Sequence, residues 1–255
     1  MHAFSSQNLR LAYIDEPPTV ASRGVPVLLI HGFASTHAIN WVFTQWVKTL
    51  TEAGRRVIAL DNRGHGRSDK PYDQEAYAIP LMAEDARNLL DHLGVARADV
   101  MGYSMGARIA AFLAKSYHER VRALILGGIG DNLIKGGGLP NGVAEAMEAP
   151  SADVLTDPLQ KMFRQFAEAT KSDLKALAAC SRGARQTLSE QQLREIDMPV
   201  LIALGTKDEV AADAKQISTL LPRARMLPIP DRDHNRAVGD AVYRRGVLEF
   251  LDSLG

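Results

Sequence analysis

The sequence predicts an α/β protein: a mainly parallel sheet with helices on both faces, carrying a helical cap insert. Three observations lead there. Short runs that are apolar on both alternating faces recur along the chain, as strands covered on both sides require. Stripes of helical period lie between them. One long stretch, about Asp131 to Glu195, has helical patterns only.

The elements follow in order. Phe4 to Ser6 and Leu9 to Ile14 read as an antiparallel entry hairpin. Val27–Ile30, Val57–Leu60, Val100–Met101, Leu124–Leu126 and Val200–Leu204 are too short for helices, and turn-forming or polar residues bound them. Met82, Ala86, Leu89, Leu90 and Leu93 form one helical stripe, and Met105, Ile109, Phe112 and Leu113 another. Repeated strand–helix alternation argues for a mainly parallel sheet. The expected core is residues 1–130 and 196–255, and the expected cap is residues 131–195. Within the cap, Asp157-Pro158 reads as an N-cap followed by proline at the first helical position. Leu159, Met162, Phe163 and Phe166 then share one face, and Ser172 and Ser189 are candidate caps of two further helices.

Composition narrows the function. The chain has 255 residues, 46% apolar and 24% charged, the proportions of an ordinary globular protein. Thirty basic residues balance thirty acidic ones, so no net field favours nucleic acid or an anionic membrane. The lone Cys180 excludes an intrachain disulfide framework and a thiolate zinc cluster. Met1 to Glu16 lacks a basic start followed by an apolar core, so no secretory signal is expected. Gly24 to Val47 is chargeless, but Pro26, His31, Ser35, Thr36, His37, Asn40 and Gln45 interrupt it, which argues against a membrane helix. A soluble, cytoplasmic protein without membrane insertion is the expectation.

Three motifs could carry chemistry. Gly102-Tyr103-Ser104-Met105-Gly106 fits G-x-S-x-G. It follows an apolar run and opens a helical stripe, the setting in which a strand-to-helix elbow exposes a serine. An inert serine in a glycine-lined turn is the alternative. His31-Gly32-Phe33 ends the first strong run; its small residue permits close backbone approach, and the next N–H can point at a developing oxyanion. A tight turn with a satisfied core histidine fits equally well. The Asp61 to Asp69 run is rich in glycine and charge but lacks the phosphate-loop pattern, so a structural turn is the better reading. No spaced histidine set for a catalytic metal occurs. Leu133 occupies the third glycine position after Gly128 and Gly130, so a dinucleotide site is not supported, and no cofactor is expected.

Together these motifs, in this order and spacing, resemble the α/β-hydrolase superfamily, specifically its serine esterase-like members. Ala107 departs from a further glycine common in relatives. The resemblance implies an acid and then a histidine after the nucleophile. Asp208, ending Gly205-Thr206-Lys207-Asp208, matches the acid position, with Asp213 and Asp131 as weaker substitutes. His234, in Asp231-Arg232-Asp233-His234-Asn235, matches the histidine, although Arg232 stands where relatives usually have glycine.

The resulting expectation is a cofactor-free serine hydrolase for a small-molecule or apolar-chain ester. Ser104 is then the nucleophile, His234 the general base, Asp208 its orienting acid, and the N–H groups of Phe33 and Met105 the oxyanion donors. Trp41, Met162, Phe163 and Phe166 are candidate substrate-binding residues, by virtue of size and position. The same triad would serve a lactonase, thioesterase, C–C bond hydrolase or perhydrolase. A non-catalytic ligand-binding relative is the reading from a different class.

Overall fold

The computed structural model describes every residue except Ala212. Its centre is an eight-stranded sheet in the order β1-β2-β4-β3-β5-β6-β7-β8. The strands are β1 His2–Ser6, β2 Leu9–Glu16, β3 Val27–Ile30, β4 Val57–Leu60, β5 Ala98–Tyr103, β6 Val121–Gly127, β7 Val200–Gly205 and β8 Ala224–Ile229. β1 pairs antiparallel with β2, and β2 antiparallel with β4. Every other pairing is parallel. The entry hairpin and each expected strand are therefore present, with β5 and β6 each four residues longer than the apolar run alone.

Alternating side chains of the central strands feed two separate apolar clusters, as the period of two demands. Leu28, Ile30, Ile58, Leu60 and Val100 point to one face, where they meet α2 Ile79–His92 and α3 Met105–Ser116. Val27, Leu29, Val57, Ala59 and Met101 point to the other, against α1 Trp46–Glu52 and α10 Ala241–Asp252. Helices on both faces explain why these strands carry apolar residues at consecutive positions. β8 is an edge strand paired only with β7, a position that tolerates Pro228.

Between β6 and β7 the described chain forms helices and turns only: α4 Val143–Glu148, α5 Pro158–Ala169, α6 Leu174–Gly183 and α7 Glu190–Arg194, with short helical turns at Asp131–Leu133 and Ala152–Val154. Asp157 caps α5 by accepting from Gln160 N, with Pro158 opening the helix. Ser189 caps α7 in a reciprocal capping box with Gln192. Ser172 does not cap α6. The adjacent Asp173 does, accepting from Ala176 N, while the Ser172 hydroxyl turns back to Thr170. Both residue types cap well, and one residue of register decides between them.

After β7 come α8 Lys215–Leu220 and, beyond β8, α9 His234–Ala237 ahead of α10. No helix among the described residues is long and apolar enough to cross a membrane.

Candidate active site

Parallel strands β5, β7 and β8 end at the same edge of the sheet, and each delivers one polar residue there. Ser104 forms the turn between β5 and α3, with φ 56° and ψ −118°. Positive φ is strained for a side chain of this kind. Two close approaches lock the turn. A Cβ on Gly106 would collide with the carbonyl oxygen of Ile30, and one on Gly102 with that of Gly106. Both motif glycines thus let α3 sit directly against the sheet. Ala107 is fully buried there, so the substitution for glycine is accommodated. Ser104 N also donates to Gly127 O at 2.7 Å, tying the elbow to β6.

His234 opens α9, and Asp208 lies in the loop after β7. The Ser104 hydroxyl donates to His234 Nε2 at 3.0 Å. His234 Nδ1–H donates to the Asp208 carboxylate, at 2.8 Å to Oδ2 and 3.0 Å to Oδ1. Burial disfavours ionisation of Asp208. The hydrogen bond and charge of His234, with the N–H groups of Ala211 and Val210, outweigh burial and hold its pKa below the ordinary value. An ionised acceptor fixes the imidazole tautomer, leaving Nε2 free to accept the serine proton. The substitute acids lie elsewhere. Asp131 accepts from Gln216 and Ile217 N–H groups at the start of α8, and Asp213 pairs with Lys215.

Arg232 does not disturb the histidine loop. Its side chain runs outward to Asp240 at 2.6 Å, and only its carbonyl turns inward, accepting from Lys207 N. Tyr103 contributes what sequence reading missed: its hydroxyl donates to His234 O at 2.6 Å. It occupies a variable position of the G-x-S-x-G motif, so no spacing rule marks it.

The loop after β3 faces the serine. Asn40 Oδ1 accepts from Gly32 N at 2.8 Å and holds this loop in place. A Cβ on Gly32 would stand 3.4 Å from Ser104 Cβ, so this position keeps the backbone leading to Phe33 close to the elbow. Met105 is the first residue of α3, and its N–H has no intrahelical acceptor. The Asp61 to Asp69 run is a structural turn. Asp61 accepts from His37 and from Arg67 N, and Ser68 bridges Asp61 O and Ala12 N.

Two cavities meet at Ser104. One, of about 220 Å³, has Phe33 and His234 at its inner end and Met162, Phe163 and Phe166 of α5 along its wall. Phe163 packs edge-on against Phe33, with ring centroids 6.0 Å apart. Trp41 is not at this wall. It is fully buried in the cluster on the opposite face of the sheet, with its ring centroid 6.4 Å from that of Trp46. The helical turn Ala38–Val42 carries it there, aiming Asn40 at the site and Trp41 into the core. The second cavity, of about 270 Å³, extends past Met105 to Arg108, Asn132, Lys135 and Asn141. Arg108 could have been noticed as the one charged residue in the first ten positions of α3.

No cluster of three or more His, Cys, Asp or Glu suited to a metal ion occurs among the described residues. Cys180 is buried, with its thiol pKa pushed up by desolvation.

The alpha/beta hydrolase fold family matches residues 25–147. A Bacillus subtilis (strain 168) protein, provisionally named as a 2-succinyl-6-hydroxy-2,4-cyclohexadiene-1-carboxylate synthase, is 26% identical across 98% of this chain and 97% of its own length. A non-heme chloroperoxidase from Kitasatospora aureofaciens is 27% identical, covering 90% of this chain and 93% of that one. The crystal structure of the enol-lactonase from Burkholderia xenovorans LB400 superposes with a TM-score of 0.78 at 19% identity, over 98% of this chain and all of the other. Family match and sheet order agree: the chain has the alpha/beta hydrolase fold, and residues 25–147 match that family.

Proposed function

We propose that the protein is a cofactor-free serine hydrolase that cleaves carboxylic esters through an acyl intermediate on Ser104. The observation that carries this reading is the continuous chain of hydrogen bonds from Ser104 Oγ through His234 to Asp208, ending where two cavities meet. Ser104 Oγ attacks the ester carbonyl as its proton passes to His234 Nε2. The N–H groups of Phe33 and Met105 receive the developing oxyanion, each donor contributing about 3 to 4 kcal/mol in comparable sites. The tetrahedral adduct then expels the alcohol, which takes the proton from His234. Water, deprotonated by the same imidazole, releases the acid and restores the serine. Asp208 stabilises the imidazolium formed in each half-reaction. Residues 131–195 serve as the cap over a core made of residues 1–130 and 196–255, and α5 brings Met162, Phe163 and Phe166 to the substrate.

Lactone opening uses the same serine and relay, and the likeness to an enol-lactonase puts lactones beside esters as substrates to compare. The decisive experiment is labelling with a fluorophosphonate probe, together with turnover of 4-nitrophenyl esters of increasing acyl length. Labelling at Ser104, and loss of labelling and turnover in a folded Ser104→Ala variant, is the expected result. Labelling of a different serine, or undiminished turnover in Ser104→Ala, would refute the assignment.

A further inference from the structure

We propose that the cavity on the Met105 side of Ser104 is a carboxylate subsite, in which Arg108 and Lys135 hold an acidic group at the far end of the substrate's acyl chain. This rests on the reading of Ser104 as the acylated residue.

The buried arginines point to it. Arg55, Arg63, Arg108 and Arg164 are all at most 5% exposed. Arg55 reaches Asp252 at 2.8 Å and Asp99 at 3.7 Å, Arg63 pairs with Asp85 at 2.6 Å, and Arg164 pairs with Glu168 at 2.8 Å. Arg108 has no carboxylate within 4.0 Å among the described residues. It donates instead to two main-chain oxygens, Asn132 O at 2.6 Å and Gln186 O at 3.0 Å. Carbonyls satisfy hydrogen bonds but bring no opposite charge, and a buried cation without a counter-ion is costly. Burial, with nearby Arg185, pushes its pKa down to about 10, the direction expected of an uncompensated cation.

The cavity completes the argument. Arg108 and Lys135 both line it, Asn132 and Asn141 add polar groups, and no Asp or Glu is in its wall. At about 270 Å³, against about 30 Å³ for one water, it has room for a short acyl chain ending in a carboxylate. Its position also says which part of the substrate enters. His234 borders the other cavity, the one walled by Met162, Phe163 and Phe166 and free of lysine and arginine. The group that protonates the leaving oxygen must stand beside it, so the alcohol departs on the His234 side. The acyl chain then extends the other way, past Met105 towards Arg108. The preferred substrate class is thus the monoester or lactone of a dicarboxylic acid with an apolar leaving part.

The test compares 4-nitrophenyl hemiadipate with 4-nitrophenyl hexanoate, acyl chains of equal length that differ in the terminal carboxylate. The ratio of kcat/KM is followed, with the spontaneous hydrolysis of each ester subtracted. The wild-type ratio should favour hemiadipate by about tenfold or more, as a charge-assisted contact provides. Arg108→Gln and Lys135→Ala should each lower it by about tenfold, and Arg108→Lys should recover part of the loss. Because Arg108 is buried, Lys135→Ala, which alters an exposed side chain, keeps the test open if Arg108 variants do not fold. A wild-type ratio of one or less overturns the subsite while leaving the serine mechanism intact. If neither ester turns over and the fluorophosphonate does not label, the serine reading has failed. Calorimetric titration of the protein with adipate then decides the subsite: saturable binding weakened about tenfold by Lys135→Ala supports it, and no saturable binding overturns it.

Discussion

The phenolic oxygen of Tyr103 donates a 2.6 Å hydrogen bond to the main-chain oxygen of His234. The residue before the elbow serine therefore holds the loop that carries the histidine, and β5 governs both partners of the 3.0 Å Ser104–His234 contact. Tyr103 is buried, and its ring lies 5.4 Å from the imidazole. Position and orientation of His234 are thus set partly from beneath.

Tyr103→Phe keeps the ring and removes that bond. The His234 carbonyl loses its phenolic donor, a defect of about 1 to 3 kcal/mol. Thermal unfolding should shift down accordingly, and kcat should fall more than KM rises because the loop, not the cavity wall, is loosened. An unchanged kcat with a lowered Tm would limit Tyr103 to stability.

Asp208→Asn should lower kcat/KM by several powers of ten, by analogy with about 10⁴ for the corresponding change in a triad protease. The amide can donate to His234 Nδ1 and so favour the tautomer that cannot accept the serine proton. Steady-state kinetics on a 4-nitrophenyl ester, with circular dichroism to verify folding, measures it. Full activity would direct attention to another acid.

Phe163→Ala and Phe166→Ala should shift the preferred acyl or alcohol length of the ester. Phe166 is partly exposed and should change selectivity with little loss of stability. Phe163 is 7% exposed and packs on Phe33, so its truncation should also cost about 3 to 5 kcal/mol. Relative kcat/KM across a chain-length series reports the first effect and thermal denaturation the second. Unchanged preference in both variants would assign the stripe to packing alone.

Acid should destabilise the protein well above the range of ordinary carboxylates. Burial lowers the pKa of His31 to about 4 and of His65 to about 3, from 6.5. Both stay neutral in the fold while the unfolded chain takes up protons, so their contribution is complete above about pH 6.5. It is lost as pH falls towards 4 and 3. At pH 5 this amounts to about 2 kcal/mol for each histidine. Asp61 acts lower. Burial opposes its ionisation, but His37, His31 and Arg67 N–H prevail and hold its pKa at about 2. Its stabilisation is lost as pH falls from about 3.8 through 2. Tm measured from pH 8 to 4 should decline steadily below 6.5, and His65→Phe should flatten part of that limb. A Tm independent of pH between 5 and 8 would contradict this account.

The strands were legible because both faces of the sheet are covered, which leaves runs such as Val27–Ile30 and Val57–Leu60 apolar at every position. Ser104 was legible because close packing permits only glycine two residues either side. Asp208 and His234 followed from order along the chain, and the hydrogen bonds that run from Ser104 through His234 to Asp208 depend on three parallel strands ending together. Trp41 misled because size says nothing about which face of the sheet a residue reaches. The cavity beside Arg108 was hidden because α3 supplies Arg108 while the chain after β6 supplies Asn132, Lys135 and Asn141. No local pattern joins residues brought together only by tertiary packing.

β6 and β7 are hydrogen-bonded neighbours, with Leu124 opposite Val200 and Gly127 opposite Ala203. Everything between them is one crossover, which leaves β6 at Gly127 and re-enters the neighbouring strand at Val200, three residues further back along the sheet. A segment anchored in this way can grow, shrink or be exchanged without moving any strand, and doubling the length of a flexible one costs only about 0.6 kcal/mol in closure entropy. Ser104, Asp208 and His234 all lie outside it. On the serine-hydrolase reading proposed above, the relay can be inherited apart from the segment that helps wall its cavities, and a chimera carrying a foreign 131–195 segment should retain the relay while changing what reaches it.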